Sequence, residues 1–173
     1  SSDPAFSGLW ASDVYNPMRF RRFHDSEDQG TYRAIQGDVG TRLMVTPSGI
    51  AGVSNVFVWT QNKLYYFTAT SATSINRWIP VCDHGTLTPY SCASGEGSLF
   101  WLDQFKHVME YSSRGLDDLS GDTIQDKLDT ICGGATTGWN YVIPMNQRLA
   151  FGCWFDKKYI LSVDQAGTGS LTN

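Results

Sequence analysis

The amino-acid sequence predicts an all-β fold built from short antiparallel strand pairs. Aromatic residues make up 13% of the 173 residues and the chain contains 17 glycines, a composition typical of strands joined by tight turns. Hydrophobic residues reach 41% and charged residues only 17%, which favours a packed core over a disordered chain. A third observation is a strand pair that recurs along the chain.

The recurring strand pair is clearest in GSLFWLDQFKHVMEYS, residues 97–112. An apolar run rises to Trp101, a few polar residues follow, and a second strand-like run begins at His107. A Trp therefore lies near the end of the outgoing strand. The same design recurs in three further segments, which are 54–70 with Trp59, 148–164 with Trp154 and, more faintly, 7–20 with Trp10.

Two of these pairs have recognisable turn residues. Gln61 and Asn62 fit a tight turn, because Asn tolerates positive φ. Asp156 and Lys157 occupy the corresponding place in the last pair. We therefore expect hairpins at both positions.

The spacing of these tryptophans indicates a repeat. The tryptophans of the four pairs are 49, 42 and 53 residues apart, an irregular spacing near the ~40–50 residue period of propeller blades, and Trp78 and Trp139 fall outside the scheme. A lone hairpin is marginal in water, whereas stacked four-stranded blades bury each other's faces, with a bulky aromatic at a matched position filling the wedge. The sequence predicts propeller-like antiparallel blades, about four or a partial propeller. They form a single domain over 1–173, either a minimal propeller or a fragment of a larger one, with a loose tail at 165–173. Loosely spaced tryptophans in any aromatic-rich β protein are the alternative.

Other strands lie between the pairs. The run 41–47 alternates partly and is expected to stop at Pro47. The run 75–82 contains Pro80, which favours an edge strand. The run 137–145 alternates and is predicted as a further strand.

One segment departs from the β pattern and predicts a short helix near 122–132. Asp122 suits the N-cap, and Gln125 follows three residues later in capping-box position. Apolar residues recur on one helical face. This apolar stripe consists of Ile124, Leu128 and Ile131.

Motifs for chemistry are weak. The three histidines lie far apart and share no metal-ligand spacing, so no metal site is predicted. Residues 82–85, CDHG, combine Cys, Asp and His, but a turn explains them better than a nucleophile. Cys132 and Cys153, in small or apolar surroundings, are expected to be buried free thiols. A glycoside hydrolase fragment would need two carboxylates across a cleft, and the acids near the helix fit a solvated face. The sequence therefore predicts no catalytic, cofactor-binding or metal residues.

Charge adds a further constraint. The formal net charge is −4, which argues against a broad basic face for duplex phosphates. In residues 18–24, MRFRRFH, arginines alternate with aromatic residues, a pattern that can bind single-stranded nucleic acid. Acids follow within a few residues, so solvated or paired arginines are favoured there.

Residues 82–128 resemble the β-propeller module of short-tailed phage neck and tail proteins, of the packaged-DNA stabilisation, head-completion or tail-nozzle type. The upstream segment DVYNPMRF is similar to a second segment of that family, with Met18 where Leu is usual. Departures are the Arg-rich run and the length, which makes just under four blades. The residues that carry the resemblance are Gly85, Thr88, Pro89, Ser91, Phe100, Trp101, Leu102, Gly115, Ser120 and Ile124, with Asp13, Tyr15, Asn16, Pro17 and Phe20 upstream.

The resemblance implies a phage virion structural protein that is not an enzyme and needs no cofactor. It implies a ring of copies, by expectation a hexamer, that closes or extends the DNA channel and contacts the portal or adaptor and other tail proteins. Double-stranded DNA would pass without sequence-specific contact, and no membrane partner is expected. The alternative is a carbohydrate-binding propeller of a receptor-recognition tail protein, with exposed aromatics stacking on sugars.

Overall fold

A computed structural model describes residues 8–10, 12–13, 16–20, 32–35, 38–50, 54–69, 75–131 and 150–163. Within them, antiparallel strands form two four-stranded and three two-stranded sheets. These residues also contain one α-helix and one 3-10 turn. The all-β prediction is confirmed. The elements are β1 (Gly8–Trp10), β2 (Ser12–Asp13), β3 (Asn16–Phe20), β4 (Tyr32–Ala34), β5 (Gly40–Ile50), β6 (Ser54–Thr60), β7 (Leu64–Ala69), β8 (Ile75–Cys82), β9 (Ala93–Gly95), β10 (Ser98–Leu102), β11 (Val108–Ser112), β12 (Gly115–Asp118), α1 (Gly121–Ile131), β13 (Ala150–Phe155) and β14 (Lys158–Val163).

The two larger sheets are blade-like meanders. The first sheet contains β5–β8 and the second sheet contains β9–β12, and in both each strand pairs with its neighbour in sequence. The last hairpin, β13–β14, forms a separate two-stranded sheet. These sheets match the partial blades that the recurring strand pairs predict.

A hydrophobic core lies between the first and second sheets. Trp59 and Trp101 are fully buried there, and their rings meet edge to face with centroids 5.8 Å apart. Phe57 and Tyr111 make a similar contact at 6.2 Å. The buried members of this core are Ile50, Phe57, Trp59, Leu64, Cys92, Leu99, Trp101 and Met109.

The two core tryptophans share a place along their strands but not a facing direction. Each is the next-to-last residue of its strand, yet Trp59 points forward to the second sheet and Trp101 points back to the first. The turn after Trp101 is one residue longer, since Asp103 N bonds to His107 O whereas Thr60 N bonds to Lys63 O. Trp59 directly precedes Thr60, whereas Trp101 lies two residues before Asp103, so counted from the turn the two side chains fall on opposite sides of their strands. The prediction of a fully matched position is wrong by one residue.

The opposite face of the second sheet packs on the last hairpin. Phe100 stacks on Trp154 at 4.9 Å and on Tyr159 at 5.3 Å, with the rings nearly parallel. Strand β10 is therefore buried on both faces. A smaller buried cluster continues this contact and contains Leu102, Val108, Leu128 and Ala150.

The two predicted turns are present, but one forms for another reason. Asp156 and Lys157 both have positive φ, 47° and 60°, as a type I′ hairpin turn requires. Asn62 has no positive φ. Its side-chain amide donates instead to Asp38 Oδ1 at 3.1 Å. The role of Asn62 in this turn is therefore its side-chain hydrogen bond to Asp38, not a positive backbone φ.

The N-terminal strand pair differs from the prediction for 7–20. Strand β1 pairs with β4, and β2 pairs with β3, so β1 and β2 are not partners. The predicted hairpin around Trp10 is therefore wrong. The expectations for 137–145, for Cys132 and for the tail at 165–173 lie outside the described residues.

The proline-containing strands occupy sheet edges. Strand β8 is an edge strand, as Pro80 predicts. Strand β5 continues through Pro47 to Ile50, so the predicted stop is wrong. The pairing register shifts between Val45 and Ile50, and an edge strand tolerates proline at such an irregularity.

Helix α1 is confirmed close to the predicted bounds, with two corrections. It begins at Gly121, so Asp122 lies in the first turn rather than at the N-cap. Gln125 donates to Asp129 at 3.2 Å and forms no capping box. Leu128 is buried, but Ile124 is exposed, so only part of the predicted stripe meets the sheet.

A buried polar junction ties the second sheet to the last hairpin. Thr86 donates its hydroxyl to Leu102 O at 2.7 Å, and Ser91 Oγ accepts from Leu102 N at 3.1 Å. The Tyr159 hydroxyl donates to Ser91 O at 2.7 Å. The Thr-Pro-x-Ser segment at 88–91 thus positions two sheets at once, because buried polar groups need partners.

We predict that Trp101→Ala lowers the free energy of unfolding by about 3–5 kcal/mol, because it opens a cavity between two sheets. Urea denaturation followed by circular dichroism measures this loss. Leu116→Ala, at an exposed position of β12, is the control and should cost less than about 1 kcal/mol. Equal losses in the two variants would contradict the central role of the tryptophan.

We predict that Ser91→Ala lowers the free energy of unfolding by about 1–3 kcal/mol, because Leu102 N loses its buried acceptor. Ser113→Ala, at an exposed serine, should leave the urea midpoint nearly unchanged. The junction is not needed for stability if both variants unfold at the same urea concentration.

Candidate interaction surface

The outward side of the last hairpin is an exposed apolar face. Because side chains alternate along a strand, Gly152 and Trp154 point to the second sheet while their neighbours point to solvent. Phe155 is 69% exposed, and Ile160 extends the row on β14 opposite Cys153. We name this surface the outer aromatic face. It consists of Phe151, Cys153, Phe155, Ile160 and Tyr90.

Tyr90 joins this face from the turn that precedes the second sheet. Its ring stacks on Phe151 with centroids 5.7 Å apart and an angle of 24°, and both side chains are exposed. Pro89 begins the 3-10 turn that presents Tyr90. The aromatic row is thus continuous across two elements.

The edge strand β5 of the first sheet exposes a second, chemically different apolar pair on the side away from the core. Met44 points into the core, so Leu43 and Val45 point away from it. Val45 is 65% exposed. We name Leu43 and Val45 the β5 face. Val58 and Phe67 lie on the same outward side of the sheet and are buried, so the aliphatic exposure is confined to the β5 edge.

A buried carboxylate organises the loop between β10 and β11. Asp103 Oδ1 accepts from Phe105 N at 2.8 Å and from His107 N at 2.7 Å. Its Oδ2 lies 2.7 Å from His84 Nδ1. The carboxylate is fully buried, so these three contacts replace its hydration. These hydrogen bonds hold the loop in a shape that presents Phe105 to solvent.

The same loop brings together two histidines that the sequence leaves unrelated. The rings of His84 and His107 lie 6.5 Å apart, and His107 Nδ1 is 3.1 Å from Asp118 Oδ2. His84 lies two residues after the end of β8, and His107 directly precedes β11. Spacing along the chain holds no signal for this pairing, because the contact depends on two sheets packing in register.

A further ion pair anchors the loop to α1. The largely buried Lys106 ammonium lies 2.8 Å from Asp129 Oδ1. The Lys106 hydrogen bond holds the pKa of the Asp129 carboxyl below its ordinary value. The loop is therefore fixed on both sides, by the first sheet and by the helix.

The chain bends at Asp83, directly after β8 ends at Cys82, where the sequence predicts a turn. The Cys82 thiol contacts His84 O at 3.8 Å and not the imidazole, which is bonded to Asp103. Burial raises the pKa of the Cys82 thiol to about 11. A side chain at Gly85 would collide with the backbone of Thr60. This segment serves close packing between the sheets.

The cysteines are free thiols in the described part of the chain. Cys82, Cys92 and Cys153 form no disulfide. Cys92 is buried, but Cys153 is exposed on the outer aromatic face, so its predicted burial is wrong. Phe151 and Phe155, the apolar residues two positions away, point outward on the same side as Cys153, so apolar surroundings in sequence do not imply burial there.

Two further findings concern metal ligands and membrane-spanning helices. The described residues include no group of three or more His, Cys, Asp or Glu side chains placed to hold a metal ion. In that same part of the chain, no helix has both the length and the apolar character needed to cross a membrane.

Comparisons with protein-family models, curated proteins and solved structures find no match to this chain. The phage resemblance of residues 82–128 therefore stays a prediction.

We predict that Cys82 resists alkylation at neutral pH and becomes reactive as the pH approaches about 11, where its thiolate forms. The folded state favours the protonated thiol, whose ordinary pKa is 9.0. This contribution to stability is complete below pH 9.0 and is lost as the pH rises to about 11. Iodoacetamide labelling at a series of pH values, read by peptide mass spectrometry, measures the reactivity of the Cys82 thiol. The exposed Cys153 is the internal control. Equal labelling of both thiols at neutral pH would contradict the prediction.

Proposed function

We propose that the protein is a structural component of the neck or tail of a phage virion. It forms part of a ring that closes or extends the DNA channel, and it docks the next tail component. The observation that carries this proposal is the outer aromatic face, whose Phe151, Phe155 and Tyr90 are exposed at the last of the described blade-like sheets. The resemblance of residues 82–128 supplies the setting.

The two exposed apolar surfaces favour contact between copies in a head-to-tail manner. The outer aromatic face and the β5 face differ in chemistry, so a contact between them is heterologous. A heterologous contact closes into a ring when its rotation permits. Phenylalanine and tyrosine are enriched at the cores of protein interfaces, and Phe151, Phe155 and Tyr90 supply such anchors. The resemblance suggests six copies.

The proposed partners also include the portal or adaptor and the neighbouring tail proteins. Double-stranded DNA passes through the ring without sequence-specific contact. The net charge of −4 supports this part, because affinity for DNA comes mainly from neutralising its phosphates. The role is mechanical and assigns no catalytic residue or cofactor. Its location is the virion.

We predict that the purified chain assembles, and that Phe155→Gln combined with Phe151→Gln shifts it toward monomer, because the aromatic anchors are lost. Native mass spectrometry gives the mass of the assembly, and electron microscopy shows whether it is a ring. Ile124→Gln is the matched control, since it removes an exposed apolar side chain from α1.

A second variant tests the head-to-tail geometry. Val45→Gln lies on the β5 face and should disrupt the same assembly. A wild-type chain that stays monomeric at its highest soluble concentration would contradict the proposal. A dimer that responds to Phe155→Gln but not to Val45→Gln would show a two-fold contact instead of a ring.

A further inference from the structure

A cavity of about 500 Å³ opens between the second sheet and the end of the last hairpin. This volume lies within the range of small-molecule sites. Its walls include Glu110 and Arg114 of the second sheet and its turn, and Trp154 of the last hairpin. It faces away from the outer aromatic face, because Trp154 is on the inward side of β13.

The cavity exists because one face of the second sheet changes from apolar to polar along its length. Phe100 and Leu102 point to the last hairpin and are covered by it. The paired positions nearer the other end are Ser98 and Ser112, and the hairpin leaves space above them. The turn at 96–97 adds room, because Gly97 has no side chain and has open space where a Cβ would stand.

The floor of the cavity is a held carboxylate. The Glu110 side chain is only 10% exposed, and its Oε1 accepts from the Ser98 hydroxyl at 2.7 Å. Its Oε2 lies 3.7 Å from Arg114 Nη2, which is too long for a direct hydrogen bond. The carboxylate is thus oriented by one partner and keeps accepting capacity toward the cavity.

The rim supplies donors and an apolar wall. The Arg114 side chain is 82% exposed and can swing over the mouth of the cavity. Arg114 N donates to Ser112 Oγ at 3.2 Å, which fixes that serine beside the carboxylate. Trp154 is partly buried and forms the opposite wall. Acceptor, donors and aromatic carbon therefore converge on one space.

The combination selects among ligand classes. The Glu110 carboxylate repels a small anion, and the Arg114 guanidinium repels a small cation. A purely apolar ligand would strip water from the carboxylate without replacing it. Hydroxyl groups can donate to Glu110 and accept from Arg114, while sugar C–H groups pack against Trp154.

We propose that this cavity binds a neutral saccharide, with Glu110 as acceptor, Arg114 as donor and Trp154 as apolar wall. The site is independent of the contacts between copies that the assembly role uses. It gives the carbohydrate-binding alternative a specific location, inside a wedge between sheets and not on an exposed aromatic surface.

The test titrates the wild-type chain with D-glucose, D-galactose, N-acetyl-D-glucosamine and lactose, and follows the indole N–H signal of Trp154 by NMR. The Trp154→Phe variant assigns that signal. At least one sugar should shift it in a saturable way. Glu110→Gln and Arg114→Ala should each weaken binding about tenfold or more, because each removes a charge-assisted hydrogen bond. Lys127→Ala, at an exposed lysine of α1, should bind as the wild type does.

The Arg114→Ala variant keeps the test decisive, because an exposed side chain can be removed without unfolding the sheet. The proposal is overturned if no sugar of the panel shifts the Trp154 signal. It is also overturned if binding is unchanged in either Glu110→Gln or Arg114→Ala. Binding of sialyllactose with no binding of lactose would show an anionic ligand and would equally exclude the proposed role of Glu110.

Discussion

Strand β10 has no side that faces solvent, and the described architecture depends on that double burial. Trp101 fills the space toward the first sheet, while Phe100, the adjacent residue, fills the space toward the last hairpin. Two consecutive aromatic side chains thus contact two different sheets. A strand with one polar face could not hold three sheets in a stack, because one of the two contacts would be missing. The face-to-face order of the described sheets follows from this one strand.

The buried polar junction makes that stacking specific. Apolar burial alone allows sheets to slide, whereas Ser91 contacts the backbone of β10 and the hydroxyl of Tyr159 at fixed distances. Asp103 acts similarly at the end of the same strand, where it fixes the following loop and His84. Both groups are buried, so a displaced sheet would leave polar atoms without partners. Packing supplies the attraction, and these two residues set the register.

Much of this fold can be predicted from the sequence, because the relevant signals are local. Alternation, turn residues and the repeated tryptophan identify the strand pairs around Trp59, Trp101 and Trp154. The opposite facing of Trp59 and Trp101 cannot be obtained this way, since it shows only when the packing of the two sheets is known. The pairing of β1 with β4 is likewise invisible, because the partners lie far apart in sequence. The same limit applies to the candidate surfaces: Phe151 and Phe155 look like core residues until the side on which the hairpin packs is known, and Glu110 meets Arg114 and Trp154 only through folding.

The position of Cys153 has a consequence for redox behaviour. In a head-to-tail array its thiol faces the aliphatic side chains of the next copy, so no two Cys153 sulfurs come together. Oxidation would then leave the array without covalent links between copies. A two-fold contact through the same surface would instead bring identical strands side by side, and an oxidising environment could lock the pair as a disulfide-bonded dimer. The position of Cys153 thus makes disulfide cross-linking between copies depend on whether the contact is head-to-tail or two-fold.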